Sequence, residues 1–400
     1  MIYHIELHRL HDVISGGELS MLEYIKWMNE REIRNTLITT DAGWIAYRRW
    51  GLARQHGFHV VKVYTLGEER MHPIHQYIRR IRKFYRILPA LNPQDGDTII
   101  CNNEMFVNAI PARALARKNH NVRCLYWWHK LLTPNLRDTR NLYGLWWAFT
   151  RWFYPKTMRK GGVVLTTNPT YMEAIQKRTR DQYVYCFKCY SGSASSRKPI
   201  LGEHKVYDMV WVGRMTRGKG VCDILLVHRH LRGAGIPCKL AVIGDGDKMA
   251  EFQCRVNVHR DDTGDLGIDL LGCVSDKLKW EVMLRSKVCV ITSYAESYCT
   301  LMIEAMAMGL PVVAYEVGHF RDLFGGGGLM VVKTGDTEAM AGVIKGLLDN
   351  ANHRFMLADQ SYRFAGHRTW ADHATEIHRL TETAPTTMDY RKQGWVEDLP

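Results

Sequence analysis

The 400-residue sequence lacks any run of about eighteen uncharged apolar residues, so no segment of it is suited to crossing a bilayer as a helix. Its start, Met1-Ile2-Tyr3-His4-Ile5-Glu6, has no basic stretch leading into an apolar core, and a secretory leader is not expected there. Paired cysteine motifs are equally scarce. Among ten cysteines, Cys186 and Cys189 form the one Cys-x-x-Cys, and neither a second pair nor a ligand-spaced histidine pair completes a zinc site. Cys101, Cys124 and Cys289 lie inside apolar runs, as small buried hydrophobes do in a reducing compartment. His4, His8 and His11 fall along a strand and its following loop, where no ligand geometry is implied. There is no P-loop ending in Gly-Lys-Ser/Thr and no nucleic-acid-binding module. The expectation is a globular protein of the cytosol with no metal site.

What is present is enough apolar sequence, 46% of the chain, to build more than one core, and the length suggests two domains. Residues 1–200 hold 31 Lys and Arg against 15 Asp and Glu, whereas residues 201–400 hold 23 against 26. The basic surplus is therefore N-terminal, suited to nucleic acid, an anionic membrane face or an acidic substrate. Strand-like runs at Ile2–Leu7, Thr36–Thr40, His59–Tyr64, Thr98–Asn102, Val122–Trp127 and Val163–Thr167 alternate with helical stretches, the pattern of a doubly wound α/β domain. The polar run Ser191-Gly192-Ser193-Ala194-Ser195-Ser196 marks a composition break. It divides the chain into a domain at 1–187, a linker at 188–205, a second domain at 206–383 and a polar tail at 384–400.

The second half is organised around Ser293–Ala314. Val288–Thr292 reads as a buried strand, Leu301–Met308 as a helix apolar on every side, Gly309 as its cap and Pro311–Tyr315 as the next strand. Glu304 sits inside that apolar helix, and a buried carboxylate needs a partner. The loop before the helix opens at the carboxyl end of a parallel strand, where α/β sheets bind ligands, and a helix start suits an anion. Glu296 and Glu304 then flank one pocket, two acceptors for sugar hydroxyls beside a phosphate site. An isolated pair of this kind also serves as a solvated loop residue and a helix-dipole partner. Upstream, Tyr207–Val212 leads into Gly213-Arg214-Met215-Thr216-Arg217-Gly218-Lys219-Gly220, a glycine-rich turn with cations before a helix, fit to clamp a diphosphate or simply solvated. Leu240–Gly246 and Leu270–Ser275 add two further strands, with Gly244 and Val274 at their ends.

Two glutamates eight positions apart, the second followed by Ala-Met-Ala and Gly-Leu-Pro-Val-Val, resemble the donor-site signature of the retaining glycosyltransferases of family 4. That resemblance implies the GT-B fold, two Rossmann-like doubly wound parallel-sheet domains facing across a cleft, with a UDP- or GDP-sugar as donor and no cofactor. It implies that Glu296 contacts donor-sugar hydroxyls, that Glu304 holds the nucleotide ribose, and that Arg214 and Lys219 hold the donor phosphates. Gly213 belongs to that same phosphate loop, Gly244 and Val274 lie on segments that match those framing the base, and Ser297, Tyr298, Cys299, Thr300 and Leu301 form the donor loop. Many members carry Gly-Phe-Gly where Ser297-Tyr298-Cys299 stands, a departure that bears on the sugar more than on the reaction. In the first half, the Gly16-Gly17 turn matches the family loop over the donor diphosphate, although a glycine turn is also a tight connection. His129, at the end of Cys124–Trp128, matches a histidine that touches the donor sugar or its phosphate, and a capping role fits it equally. The helical run from Trp370 is expected to return toward the first domain.

Tyr77–Leu88 forms a basic amphipathic helix with Arg79, Arg82, Lys83 and Arg86 largely off its apolar stripe, and Leu142–Lys156 is densely aromatic between cations. Both fit an anionic membrane surface, and both fit an ordinary core. The expected function is transfer of a sugar from a nucleotide donor to a glycan or lipid-linked acceptor, in cell-surface polysaccharide synthesis at the cytosolic membrane face. The rival readings are a nucleotide-sugar epimerase of similar fold and a non-enzymatic nucleic-acid-binding protein. Cations clustered with aromatics weigh against a nucleic-acid partner.

Overall fold

The structure, a computed structural model, describes residues 1–8, 16–65, 67–68, 71–129, 152–179, 182–187, 198–263, 267–296, 298–317, 320–366 and 368–386. The polar run 191–196, most of the aromatic stretch 142–156, Ser297, His11, Cys189 and the tail from 387 lie outside those residues. The chain forms two compact units, Met1–Cys189 with Trp370–Pro400, and Tyr190–Thr369.

Unit 1 carries a seven-stranded sheet in the order β3-β2-β1-β4-β5-β6-β7. Its strands are β1 (Ile2–Glu6), β2 (Asn35–Thr40), β3 (Phe58–Val63), β4 (Thr98–Cys101), β5 (Arg123–Trp127), β6 (Val163–Thr166) and β7 (Tyr183–Cys186). Every pairing is parallel; Ile5 lies beside Ile38 on one side and Cys101 on the other. Parallel strands covered on both faces read as continuous apolar runs, and all five residues of β1 are buried, His4 and Glu6 included. Helices α3 (Pro73–Ile87) and α4 (Phe106–Ala116) bring Tyr77, Phe84, Phe106 and Leu115 to one face. Helices α1 (Gly16–Glu30) and α2 (Asp41–Arg49) bring Leu22, Ile25, Trp44 and Tyr47 to the other. A short helix α5 (Pro169–Arg178) precedes β7, an edge strand of four residues too short to stand out in the sequence.

Unit 2 repeats the design with six parallel strands ordered β10-β9-β8-β11-β12-β13. These are β8 (Tyr207–Val212), β9 (Leu240–Ile243), β10 (Ile268–Gly272), β11 (Ser286–Ile291), β12 (Val312–Tyr315) and β13 (Leu329–Val332). Between them run α6 (Val221–Gly233), α7 (Met249–Thr263), α8 (Asp276–Leu284), α9 (Thr300–Ala307) and α10 (Phe320–Phe324), and α11 (Thr337–Asp349) and α12 (Ala351–Ala365) follow. The expected fold class, two Rossmann-like doubly wound units of the GT-B type, is the one observed.

The last helix, α13 (Trp370–Thr383), corrects the linear division that assigned 206–383 to one domain. It buries Ala374, Ile377 and Leu380 in the unit 1 core, each large side chain contributing about 1.5–3 kcal/mol. Thr98 Oγ1 donates to Thr381 O at 2.8 Å and Arg123 Nε to Ala384 O at 2.8 Å, fixing the helix to the sheet. Its stripe finds its partner on α1, some 350 residues earlier in the chain, so the run from Trp370 returns to the first unit as the family resemblance implied, although the linear division had placed it in 206–383. Among the described residues, no helix is long and apolar enough to cross a membrane.

Candidate functional site

In each unit the strand order reverses at one point, and there the loops at the carboxyl ends part to leave room for a ligand. In unit 2 the reversal falls between β8 and β11, so the site is built from the loop after Val212 and the loop after Ile291. The two loops are fastened together. Trp211 Nε1 donates to Thr292 Oγ1 at 2.9 Å, Thr292 Oγ1 donates on to Gly220 O at 2.8 Å, and Tyr294 N donates to Gly218 O at 2.9 Å. Gly220 is left-handed, φ +63°, and a Cβ there would lie 2.0 Å from Thr292 O, so only glycine permits this closeness. At Gly244, φ +136°, a Cβ would likewise lie 1.8 Å from Gly213 O.

This packing delivers Lys219 to Glu296, Nζ to Oε1 at 2.5 Å, with the carboxylate largely buried and the ammonium partly exposed. The Arg214 guanidinium, on the same turn, is exposed and makes no ion pair among the described residues. Glu304, in α9, finds the partner its burial demands in Lys279 of α8, Nζ to Oε2 at 3.4 Å. Its side chain is only 14% exposed. Burial pushes its carboxyl up from the ordinary range, and Lys279 opposes that shift. Lys279 is also held by Asp276 at 3.1 Å and lies over the Trp280 ring at 3.9 Å. Val274 and Gly244 stand at the ends of β10 and β9 on the same side of the sheet.

The donor loop departs from the glycine pattern at a structural cost. Cys299 holds φ +78°, ψ 76°, a left-handed conformation that side chains rarely adopt, immediately before α9. Its thiol is buried, and burial, reinforced by Glu296, raises it well above the ordinary thiol range, which keeps it unreactive. Tyr298 turns inward onto Phe324, ring centroids 5.3 Å apart, so it packs rather than lining the loop. Thr300 and Leu301 open α9 half-buried; Ser297 lies outside the described residues.

In unit 1 the reversal falls between β1 and β4. His129 follows β5, stacked on Trp127 at 5.0 Å, its Nε2 3.2 Å from Asn102 O and its backbone N donating to Glu104 Oε2 at 3.1 Å. The imidazole reaches Gly17: a Cβ on that glycine would meet His129 Nε2 at 2.7 Å. Gly16 and Gly17 are the first two residues of α1.

Beside them is a cluster around His8, for which the sequence implied no ligand geometry. His8 contacts Glu6 through Nδ1 and lies 3.6 Å from Glu18 Oε1 through Nε2, and the donor atoms of the three fall within 4.8 Å of one another. Burial alone would lower the His8 imidazole, but Glu6, Glu18 and Glu104 hold it above its ordinary value. The signal was the alternation of Glu6 and His8, which share a side of an extended chain, together with Glu18 directly after the glycine pair. Two further histidines stand out by burial: His4, set aside with His8 in the sequence, and His373, which the sequence did not mark. His4 on β1 and His373 on α13 are fully buried, and burial pushes both down to about 3.

The two switch points present different chemistry. That of unit 2 offers cations and paired glutamates to an anion bearing hydroxyls, whereas that of unit 1 offers carboxylates and imidazoles. Residues 207–350 match the family model described as Glycosyl transferases group 1. The chain is 22% identical over 250 residues to the lipopolysaccharide 1,2-N-acetylglucosaminetransferase of Salmonella typhimurium, covering 60% of each chain. It is 32% identical over 122 residues to the phosphatidyl-myo-inositol mannosyltransferase of Mycobacterium leprae, covering 30% of this chain and 33% of that one. The matches thus span at most about 60% of the length of these curated relatives. Among solved structures, Anabaena HepE in complex with UDP and glucose superposes with a TM-score of 0.66 over 95% of this chain and 98% of its own, at 17% identity. Sucrose-phosphate synthase from Thermosynechococcus elongatus gives 0.69 over 95% and 98%, also at 17% identity. At that identity the likeness is one of fold.

Proposed function

We propose that the protein is a retaining glycosyltransferase that moves a sugar from a nucleoside-diphosphate sugar to a glycan or glycolipid acceptor. The observation that carries the reading is the Lys219–Glu296 pair at the switch point of unit 2, with Arg214 beside it on the same turn. Negative charge develops on the diphosphate as its bond to the anomeric carbon breaks, and Lys219 and Arg214 place positive charge there in advance. Glu296 accepts from hydroxyls of the sugar, and Glu304, held by Lys279, accepts from the ribose. The acceptor oxygen takes the place of the diphosphate on the same face of the sugar, its proton leaving with the diphosphate. Support comes from the family match over 207–350 and from the relatives, which are sugar transferases. The carboxylate and imidazole cluster of unit 1 is suited to an acceptor rich in hydroxyls.

The acceptor is proposed to be presented at an anionic membrane surface. Helix α3 leaves Ile78, Arg79, Arg82, Tyr85 and Arg86 exposed, a basic face with apolar residues in it. Part of its charge is structural: Arg80 is buried and pairs with Glu68 at 2.8 Å, and Lys83 reaches the same carboxylate at 3.0 Å.

The test is a panel of UDP- and GDP-sugars, followed by thermal shift and donor hydrolysis for the parent and Glu304→Ala. One donor should stabilise the parent and fail to stabilise the variant. If no sugar nucleotide binds either protein, the reading is wrong; if donor is consumed without acceptor to give an isomeric sugar nucleotide, the epimerase takes its place.

A further inference from the structure

Unit 1 holds a basic recess away from its switch point. Helix α2 ends at Arg49, and the chain turns through Trp50–Gly57 to enter β3, the edge strand of the sheet. Between helix, turn and strand lies a hollow of about 570 Å³ lined by Trp44, Arg48, Leu52, Arg54 and Lys62, with no acidic side chain in its wall. None of those three cations makes an ion pair among the described residues. Two of them rest on aromatic rings: Arg54 lies 5.9 Å over Trp44, and Lys62 lies 5.7 Å over Tyr64. Lys26 stands behind Gly51 but is neutralised by Glu23 at 2.9 Å, so the positive field of the recess comes from the other three cations.

Three unneutralised cations around one hollow repel each other unless an anion joins them, and guanidinium groups match phosphate oxygens best. The surroundings narrow the source of that phosphate. Ile45 is 52% exposed, Trp50 39% and Tyr64 62%, large apolar side chains on the same helix, turn and strand that form the recess. Aromatic residues set among cations are the arrangement that lies at a lipid interface, the rings at headgroup depth and the cations on the phosphates. We propose that this recess takes the phosphate of an anionic lipid headgroup and seats the β3 edge of unit 1 on an anionic bilayer. The inference rests on the membrane reading above, and gives it a site distinct from the exposed face of α3.

The test uses the full chain in sedimentation with phosphatidylcholine vesicles made with and without phosphatidylglycerol, at low and high salt. Arg48→Ala, Arg54→Ala and Lys62→Ala should each weaken partition to the anionic vesicles about fivefold, and the triple variant on the order of a hundredfold. Arg48 and Arg54 are exposed and Lys62 half-buried, so unchanged circular dichroism and unchanged donor hydrolysis are expected in all of them. Three results would overturn the proposal. If the parent binds anionic vesicles and only Arg82→Ala or Arg86→Ala on α3 releases it, the membrane reading stands and the recess has no part in it. If glycerol 3-phosphate binds the parent and not the triple variant while no vesicle does, the recess serves a soluble phosphate. If neither ligand binds, the membrane reading falls with the recess, and the sugar-nucleotide panel still decides the transferase reading separately.

Discussion

The two units share a fold and differ in where they put charge. The N-terminal half carries the basic surplus, yet its switch point gathers Glu6, Glu18 and Glu104 around His8, while Arg48, Arg54 and Lys62 lie out by the β3 edge and Arg82 and Arg86 on the exposed face of α3. The C-terminal half is slightly acidic overall, yet its switch point presents Lys219 and Arg214, with Lys279 beneath Glu304. Net charge therefore describes the surface that meets a partner and says little about the site. The site is set by which few residues the loops carry to the carboxyl edge of the sheet.

That contrast is open to direct tests. The largest effect is expected at the unit 2 switch point: Lys219→Ala, and separately Arg214→Ala, should lower turnover with the best donor about 10²–10³-fold, or about 3–4 kcal/mol in the barrier. Full turnover at unchanged donor affinity in either variant would remove that residue from the diphosphate role. Next is Gly244→Ala, which drives a Cβ to 1.8 Å from Gly213 O and should cost about 3 kcal/mol or more, read as a fall in the urea midpoint of unit 2 with unit 1 unaffected.

Acid should separate the units as well. His4 and His373 are held down to about 3 in folded unit 1, so below about pH 6.5 the unfolded chain takes up protons that the folded unit refuses. Stability contributed by the two neutral histidines is present above pH 6.5 and lost as pH falls toward 3, about 2 kcal/mol each by pH 5. In unit 2 the buried Glu304 has the opposite sign: its raised carboxyl takes a proton more readily folded than unfolded, so falling pH favours that fold through it. Thermal melts between pH 7.5 and about 5 should show unit 1 losing its midpoint first, and His4→Leu should flatten the trend. If both units fall together, the buried histidines do not govern acid sensitivity.

The smallest effect is expected at Cys299→Gly. Removing a left-handed side chain relieves about 1–2 kcal/mol, which roughly offsets the lost burial of the thiol, so the melting midpoint should stay within a few degrees of the parent. Cys299→Val, β-branched at the same φ, should lose about 2 kcal/mol or more. A stable Val variant would mean that the loop relaxes out of this conformation.

Much of the architecture was legible because parallel strands buried on both faces, such as Val288–Ile291 and Val163–Leu165, print themselves as apolar runs. The short edge strand Tyr183–Cys186 and the closing strand Leu329–Val332 were not, since four residues give too little periodicity. Glu304 announced its need for a partner from the sequence, but that the partner is Lys279, twenty-five residues earlier, is a product of how α8 and α9 pack. The sequence by itself determined the alternation of strand and helix, the glycine turns that allow close backbone approach, and the basic first half. Only the tertiary structure decided which side chains of α13 enter the core of unit 1, that Lys219 meets Glu296, that His8 stands between two glutamates, and that Arg48, Arg54 and Lys62 share one hollow. The reason is physical. Local pattern fixes which face of each element is apolar, whereas contacts between side chains distant in the chain depend on strand order, and strand order is settled only when all the apolar faces are buried at once.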